Sequence, residues 1–239
     1  MRLKAIQKIE GTLDLYFYDA IQPGWYDWFG DRHDEETSAE FIREKLAENS
    51  GVSQINMYIN SEGGSVKEGY GIYAMLKRHP AKKTAYIDGF AYSIASIIAL
   101  GADEIIMYPH STMGIHNMME GCFGNAAEHR AVADDLDKMM EGNRQIYLQR
   151  SNGKLSENDL REMLDKETIL SAEECLEYGF CDRLETTVPE REDEGLNQYK
   201  AALTAYRGAV ARMKKPEPDP KPQTPKEKTL LEFFDNLTV

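Results

Sequence analysis

Ser93 is the first candidate for chemistry, because it opens an apolar segment, "SIASIIALGA", in an otherwise charged chain. The stretch from Ile94 to Leu100 is apolar on every side, which predicts a buried helix. A hydroxyl at the start of a helix lies beside free backbone N–H groups, which can stabilise a developing oxyanion. Ser93 is therefore either a nucleophile for acyl transfer or a residue that caps the helix, and this turn alone favours the cap.

A serine nucleophile needs N–H donors for the oxyanion and a base for its proton, and two further segments offer candidates for these groups. The turn "SEGGSV" has Gly63 and Gly64 after a short strand, where glycine N–H groups can approach a ligand without side chains in the way. His116 closes the segment "TMGIH" at a predicted strand end and is a candidate base for the serine. A histidine among apolar neighbours is also often a core residue with satisfied hydrogen bonds. The acid that would orient the imidazole is one of 41 Asp and Glu residues, and residue types alone do not select it.

The elements that must position these residues alternate between strands and helices. The spacing of hydrophobic residues, the residues that cap helices and the glycines and prolines that end elements predict where each strand and helix lies. Strands are predicted over 3–18, 54–60, 82–89, 104–109 and 111–116, and helices over 38–51, 67–80, 92–102, 125–150, 156–167 and 171–180. This alternation predicts an α/β domain with a largely parallel sheet, in which functional residues collect at the carboxyl ends of strands.

Some local details are also predicted. Ser38 is expected to cap the first helix and Gly51 to end it. The segment "PGWYDWFGDRHDEET" is expected to be a loop with exposed aromatic side chains. The long helix over 125–150 is expected to be charged outside, with an apolar inner side formed by Val132, Leu136, Met139 and Met140.

Composition limits the classes of protein that are compatible with the chain. Its 239 residues are 41% hydrophobic, which is enough for one globular core with a tail. The net charge of −13 disfavours nucleic acid and anionic membranes as partners. The three cysteines show neither a pairing pattern nor zinc spacing, so a reducing compartment is expected. We find no signal peptide pattern and no apolar run long enough to cross a bilayer.

The composition changes beyond Glu185, and four regions are expected in the chain. They are an α/β domain over 1–187, an amphipathic helical extension over 188–214, a Pro-rich disordered linker over 215–228 and an apolar docking segment over 229–239. The extension is either a coiled-coil seam or a helix packed on the body. The last segment, "TLLEFFDNLTV", is either a docking peptide or an element folded back on the body.

Four segments in this order resemble the Clp protease proteolytic-subunit family. They are "INMYINSEGGSVKEGYGIYAML", "DGFAYSIASIIALGA", "IIMYPHSTMGIHN" and "ETILSAEECLEYGFCDRL", and the resemblance runs from about residue 52 to 185. It implies a serine endopeptidase with a crotonase-like superhelix of βαβ units and a long handle helix, assembled into homo-oligomeric rings, single or two stacked, around a closed chamber. It implies no metal and no cofactor, and polypeptides as substrates.

The resemblance also implies roles for particular residues. Ser93 matches the nucleophile, His116 the general base, and the N–H groups of Gly64 and Ile94 the oxyanion hole. The family's aspartate lies four residues before the serine of its "SA-E" stretch. The position that matches it here is Glu167, and Asp165 is the alternative for the third member.

Several departures from the family pattern bear on partners and location. The first fifty residues do not resemble the segment that docks an AAA+ unfoldase, Asn117 stands where a proline is usual, and the tail is long. Together with the "GWYDWF" loop, these departures indicate a phage or prophage head-maturation peptidase that acts on capsid or scaffold proteins. Such an enzyme would lie in the bacterial cytoplasm or in the phage procapsid. The alternatives are a housekeeping Clp peptidase with an unfoldase, a crotonase-type acyl-CoA enzyme and an inactive capsid-associated ring protein.

Overall fold

The computed structural model describes residues 8–9, 11–29, 32–33 and 35–185. Its strands are β1 (Lys8–Ile9), β2 (Thr12–Phe17), β3 (Trp25–Tyr26), β4 (Arg32–His33), β5 (Gln54–Ser61), β6 (Lys82–Tyr92), β7 (Glu104–Met107), β8 (Thr112–Ile115), β9 (Thr168–Ser171) and β10 (Arg183–Leu184). Its helices are α1 (Ala39–Glu48), α2 (Val66–Arg78), α3 (Ile94–Leu100), α4 (Ala126–Ser151), α5 (Glu157–Asp165) and α6 (Ala172–Tyr178). The predicted extension, linker and docking segment beyond residue 187 lie outside the described residues.

The main sheet has the strand order β1-β2-β5-β6-β7-β10. The pairs from β2 to β10 are parallel, and β1 is antiparallel to β2. Ile55, Met57 and Ile59 of β5 are fully buried, as their alternation predicted. The predicted α/β class with a largely parallel sheet is therefore confirmed.

Strand β6 is longer than predicted, and its extra residues connect two parts of the sheet. Its first half pairs with β7, while the segment Phe90–Tyr92 pairs in parallel with β8. The predicted strand end at Gly89 is wrong, because this glycine accommodates a close neighbour and does not form a turn. A Cβ atom at Gly89 would lie 2.4 Å from Asn60 Oδ1, which also accepts a hydrogen bond from the Phe90 N–H.

Helix α3 is buried along its whole length, as the apolar segment predicted. The Ser38 hydroxyl caps α1 by accepting a hydrogen bond from the Phe41 N–H, which confirms the predicted cap. The helix ends earlier than expected, with Asn49 as its C-cap in place of Gly51. The Asn49 side chain donates to the Lys45 carbonyl, so the last turn is closed before the glycine is reached.

Helix α4 begins in a capping box formed by Asn125 and Glu128, and its buried residues lie in its second half. Its buried residues are Met140, Asn143, Tyr147 and Ser151. The predicted apolar inner side is partly wrong, because Met139 is 38% exposed and of the four named residues Met140 alone is buried. Within the described residues, the first part of the helix is mostly exposed.

The segment predicted as a loop contains a short antiparallel pairing of β3 with β4, with Trp25 opposite His33. The two rings stack with centroids 4.2 Å apart. The expected exposed aromatic residues are present, since Trp28 and Phe29 are 97% and 88% exposed. None of the helices in the described residues is long and apolar enough to cross a membrane.

Candidate active site

Ser93 occupies the turn between β6 and α3 with a backbone conformation that serine rarely adopts. Its φ is 54° and its ψ is −129°, a region that favours glycine. Among the described residues its side chain makes no capping hydrogen bond to α3. The alternative that Ser93 is simply an N-cap is therefore wrong. A strained backbone that presents a hydroxyl without using it locally is typical of functional sites.

Neighbouring backbone groups hold Ser93 in this conformation. Its N–H donates to the Gly114 carbonyl of β8 at 2.8 Å. Its carbonyl accepts from the Ser96 N–H at 3.0 Å and from the Ser96 hydroxyl at 2.6 Å. Gly63 packs directly against the turn, since a Cβ atom there would lie 2.7 Å from the Ser93 Cβ. The turn is thus fixed from β8, from α3 and from the Gly-Gly segment.

His116 and Ser93 share a cavity because two parallel strands end together. Tyr92 of β6 is in register with Gly114 of β8, so Ser93 and His116 follow strand ends at the same edge of the sheet. Both residues line one cavity of about 260 Å³. The pairing of β6 with β8 therefore explains why residues 23 positions apart in the chain line the same cavity.

The tautomer of His116 follows from its hydrogen bond. Its Nδ1 lies 2.6 Å from the main-chain oxygen of Asn117, which can only accept. Nδ1 therefore carries the proton, and the lone pair of the neutral ring is on Nε2. This is the tautomer that a general base needs for a serine hydroxyl.

The Gly63–Gly64 turn, at φ values of 93° and 143°, lies against Ile21. Ile21 donates to the Gly63 carbonyl at 2.8 Å and accepts from the Ser65 N–H at 2.7 Å. In such a parallel bridge the intervening residue directs its own N–H to the opposite side, so the Gly64 N–H faces away from Ile21. Gly64 and Ile94 both line the cavity that contains Ser93.

The two candidate acids lie near His116 but do not bond to it. Ile115 of β8 pairs with Thr168 of β9, so Glu167 lies next to His116 at the end of this antiparallel pair. Glu167 is exposed and has a φ of 50°. Asp165 accepts a hydrogen bond from the Asn117 side chain at 2.8 Å. Neither carboxylate is among the described residues that line the cavity.

Other residues that line the cavity were not identified from the sequence. They are Glu62, Val66, Met118, Met119, Asn143 and Tyr147. Asn143 and Tyr147 lie one turn apart on the inward face of α4, and their spacing of four was the signal that could have indicated them. Glu62 is exposed and is the one carboxylate in this lining. Most of the remaining wall is apolar, which suits a peptide side chain better than a charged cofactor.

The chemistry available to this cavity is that of a serine nucleophile with a histidine base. Among the described residues, no group of three or more His, Cys, Asp and Glu side chains could hold a metal ion. A strained strand-to-helix turn that presents a serine to a cavity shared with a histidine, in an α/β domain, is an arrangement suited to acyl transfer.

Comparison with known proteins places the chain in a family. The model of the Clp protease family matches residues 29–188, well over half of the chain, and the protein belongs to this family. The predicted resemblance is thus confirmed at the level of the family, and membership implies a serine peptidase. Assignment to the phage branch stays a prediction.

Individual relatives agree with this assignment. The chain is 27% identical to the ATP-dependent Clp protease proteolytic subunit of Mesostigma viride, over 70% of this chain and 73% of the relative. It is 32% identical to the subunit of the same name from Oltmannsiellopsis viridis, over 55% and 67% of the two chains. A ClpP1 mutant from Listeria monocytogenes has the same fold, with a TM-score of 0.59 and 21% identity over 73% of this chain and 91% of that chain.

Proposed function

We propose that the protein is a serine endopeptidase that cleaves peptide bonds at Ser93. The observation that supports this most directly is that Ser93, His116, Gly64 and Ile94 line one cavity. The strained Ser93 turn and the tautomer of His116 support it further. This is a finer statement than family membership, because it assigns the chemical steps to particular side chains.

In the proposed mechanism, His116 Nε2 takes the proton of the Ser93 hydroxyl while Oγ attacks the peptide carbonyl carbon. The carbonyl oxygen becomes an oxyanion that accepts hydrogen bonds from the N–H groups of Gly64 and Ile94. The imidazolium then gives its proton to the leaving amine, and the C–N bond breaks to leave an acyl-enzyme. Water, deprotonated by His116, attacks the ester carbonyl, and the proton returns to Ser93 as the acid product leaves.

Glu167 is proposed as the third member of the triad, with Asp165 as the alternative. The pairing of β8 with β9 supports Glu167, because it puts this residue beside His116. His116 Nδ1 is hydrogen-bonded to the Asn117 carbonyl in this geometry. A small backbone shift at Asn117 must therefore free Nδ1 before it can donate to the carboxylate of either acid. Asp165 is already bonded to the Asn117 side chain, and this hydrogen bond would break if Asp165 took the role.

A fluorophosphonate probe tests the proposed function. We expect the purified full chain to react covalently, and mass spectrometry of the digested protein to locate the phosphonate on Ser93. The same sample should hydrolyse short fluorogenic peptides, and the probe should inhibit this hydrolysis in proportion to labelling. Absence of labelling together with absence of peptide hydrolysis would contradict the proposal, as would modification of a different serine. Binding of acyl-CoA by an unlabelled protein would instead indicate the crotonase-type enzyme.

We further propose that the chain assembles into homo-oligomeric rings, single or two stacked. The outer part of α4 supports this, because Val132 and Leu136 are half-buried and Met139 is exposed on a helix that projects from the core. Apolar residues on a projecting helix are suited to burial against another copy. Native mass spectrometry should give a mass of several copies, and a monomer at micromolar concentration would contradict this part of the proposal.

The finer role that we propose is maturation of a phage or prophage head, with capsid or scaffold proteins as substrates. The exposed Trp28 and Phe29 and the departures at Asn117 and in the tail support this role over that of a housekeeping peptidase. Cleavage of a capsid precursor at a few discrete sites without ATP would support it. Degradation of folded proteins that requires an AAA+ unfoldase and ATP would indicate the housekeeping alternative and a bacterial cytoplasmic location.

A further inference from the structure

Two buried hydroxyl groups connect α4 to the turn that carries Ser93. The Ser96 hydroxyl donates to the main-chain carbonyl of Ser93 at 2.6 Å, and it also lies 2.6 Å from the Tyr147 hydroxyl. A serine hydroxyl has one proton, and the carbonyl can only accept. Tyr147 must therefore be the donor to Ser96. The direction of the whole chain is fixed, from Tyr147 through Ser96 to the Ser93 carbonyl.

This chain is shielded from water. Ser96 is 0% and Tyr147 is 1% exposed. Burial raises the pKa of the Tyr147 phenol well above its usual range, so it keeps its proton at neutral pH. The Tyr147 ring is held in place by Phe180, with ring centroids 5.6 Å apart. In a low-dielectric interior, consecutive hydrogen bonds of this kind strengthen each other.

The hydrogen bond that the Ser93 carbonyl accepts from Ser96 also fixes the direction of the Ile94 N–H. The Ser93 carbonyl and the Ile94 N–H belong to one planar, trans peptide unit, so they point in opposite directions. Fixing the carbonyl towards Ser96 and α4 therefore fixes the Ile94 N–H on the other side of the peptide. Ile94 lines the cavity that also contains Ser93, where the proposed oxyanion would form. Donation to the carbonyl also polarises the peptide and makes its N–H a better donor.

We propose that Tyr147 and Ser96 are positioning residues, which orient the Ser93–Ile94 peptide so that its N–H stabilises the oxyanion. This inference rests on the proposed serine peptidase function. Neither hydroxyl touches the reacting atoms, and both act through the peptide that they hold. The backbone conformation of Ser93 is strained, so this peptide needs such support to keep one orientation.

Tyr147→Phe is the most direct test, because it removes the donor hydroxyl and keeps the ring that packs on Phe180. The fluorophosphonate probe first counts the active sites, and kcat for a fluorogenic peptide is then expressed per titrated site. We expect kcat to fall about tenfold, part of the ~10²–10³-fold loss that removal of a whole oxyanion donor causes. KM should change less than twofold, since the substrate in its ground state does not use this donor fully.

A double-mutant cycle and a matched control make the test specific. Ser96→Ala interrupts the same chain, so Tyr147→Phe should add little further loss of kcat when combined with it. Tyr70→Phe is the control, because Tyr70 also donates to α4, at 3.4 Å from Asn143 Oδ1, without reaching Ser93. Its kcat should stay within about twofold of wild type.

Two outcomes separate this inference from the proposed function. If the wild-type protein is labelled at Ser93 but kcat per titrated site is unchanged in Tyr147→Phe, the positioning role is overturned and the peptidase function stands. Equal losses in Tyr70→Phe and Tyr147→Phe would also overturn it, because they would show a general effect of removing a tyrosine hydroxyl. If the wild-type protein is not labelled, the proposed function itself fails.

Discussion

Replacing Ser93 by glycine or by alanine is expected to abolish peptide hydrolysis, while the glycine variant should be the more stable of the two. Both variants lose the hydroxyl that we propose as the nucleophile, so kcat should fall by at least about 10³-fold. Their stabilities differ because residue 93 has a φ of 54° and a ψ of −129°, which glycine adopts freely and alanine does not. Strain at such a backbone costs about 1–3 kcal/mol. Thermal unfolding and peptide hydrolysis, measured on the same preparations, test both parts.

The control for this comparison is Ser38→Gly, at a capping serine with an ordinary extended backbone. Ser38 has a φ of −77° and its hydroxyl caps α1. Glycine there should lower the stability by a few tenths of a kcal/mol and should leave hydrolysis unchanged. The interpretation of Ser93 would be contradicted if Ser93→Gly hydrolysed peptides at the wild-type rate. It would also be contradicted if the alanine and glycine variants unfolded at the same temperature.

The conformation of Ser93 is also the point at which prediction from the sequence reached its limit. Residue types favoured an N-cap, because serine at the start of an apolar helix usually caps it. The strain depends on contacts with Gly63 and Gly114, which lie far from Ser93 in the chain. Only the ordered set of four segments, and not the turn alone, indicated a nucleophile. Backbone strain follows from tertiary contacts, which the local sequence does not contain.

The sheet class and the burial of α3 could be predicted because they follow from local hydrophobic patterns. The end of β6 could not, since Gly89 has the appearance of a strand terminator. In the structure this glycine gives room to Asn60 of the neighbouring strand. Glycine can form a turn at one position and allow a neighbouring chain to approach closely at another. The residue packed against it in space determines which of the two occurs.

The proposed acid, Glu167, shows a different limit of prediction from the sequence. Register places Glu167 beside His116, in agreement with the spacing from Ser171 that the family pattern implies. The side chain of Glu167 is exposed, and His116 Nδ1 donates its hydrogen bond to the Asn117 carbonyl. Backbone position was thus predictable from the order of residues, while the side-chain contact depends on a local rearrangement at Asn117. Assignment of Glu167 therefore stays a prediction.

Gly63→Ala should have the second large effect, because Gly63 is the part of the Gly-Gly turn that touches the turn carrying Ser93. The new Cβ atom would lie 2.6 Å from the Tyr92 carbonyl oxygen and 2.7 Å from the Ser93 Cβ. Both contacts are with backbone or with the stem of a side chain, so neither can move away cheaply. A φ of 93° adds strain for any residue other than glycine. We expect a loss of roughly 3 kcal/mol in the free energy of unfolding.

Activity should fall further than stability alone explains, because the displaced group is Ser93 itself. An error of about 1 Å in the position of a catalytic group can cost ~10²-fold in rate. We therefore expect kcat per folded molecule to fall at least tenfold at a temperature where Gly63→Ala remains folded. Chemical denaturation gives the stability, and circular dichroism gives the folded fraction at the assay temperature.

Gly142→Ala is the matched control for this substitution. Gly142 lies inside α4, and a Cβ atom there would meet no other atom of the described residues within 4 Å. Alanine in a helix interior is more favourable than glycine by about 0.5–1 kcal/mol, so this variant should be more stable than wild type. Its kcat should not change. Equal stability of Gly63→Ala and Gly142→Ala would show that the Gly63 turn can move away from Ser93. That result would remove the steric basis for the strained conformation of Ser93.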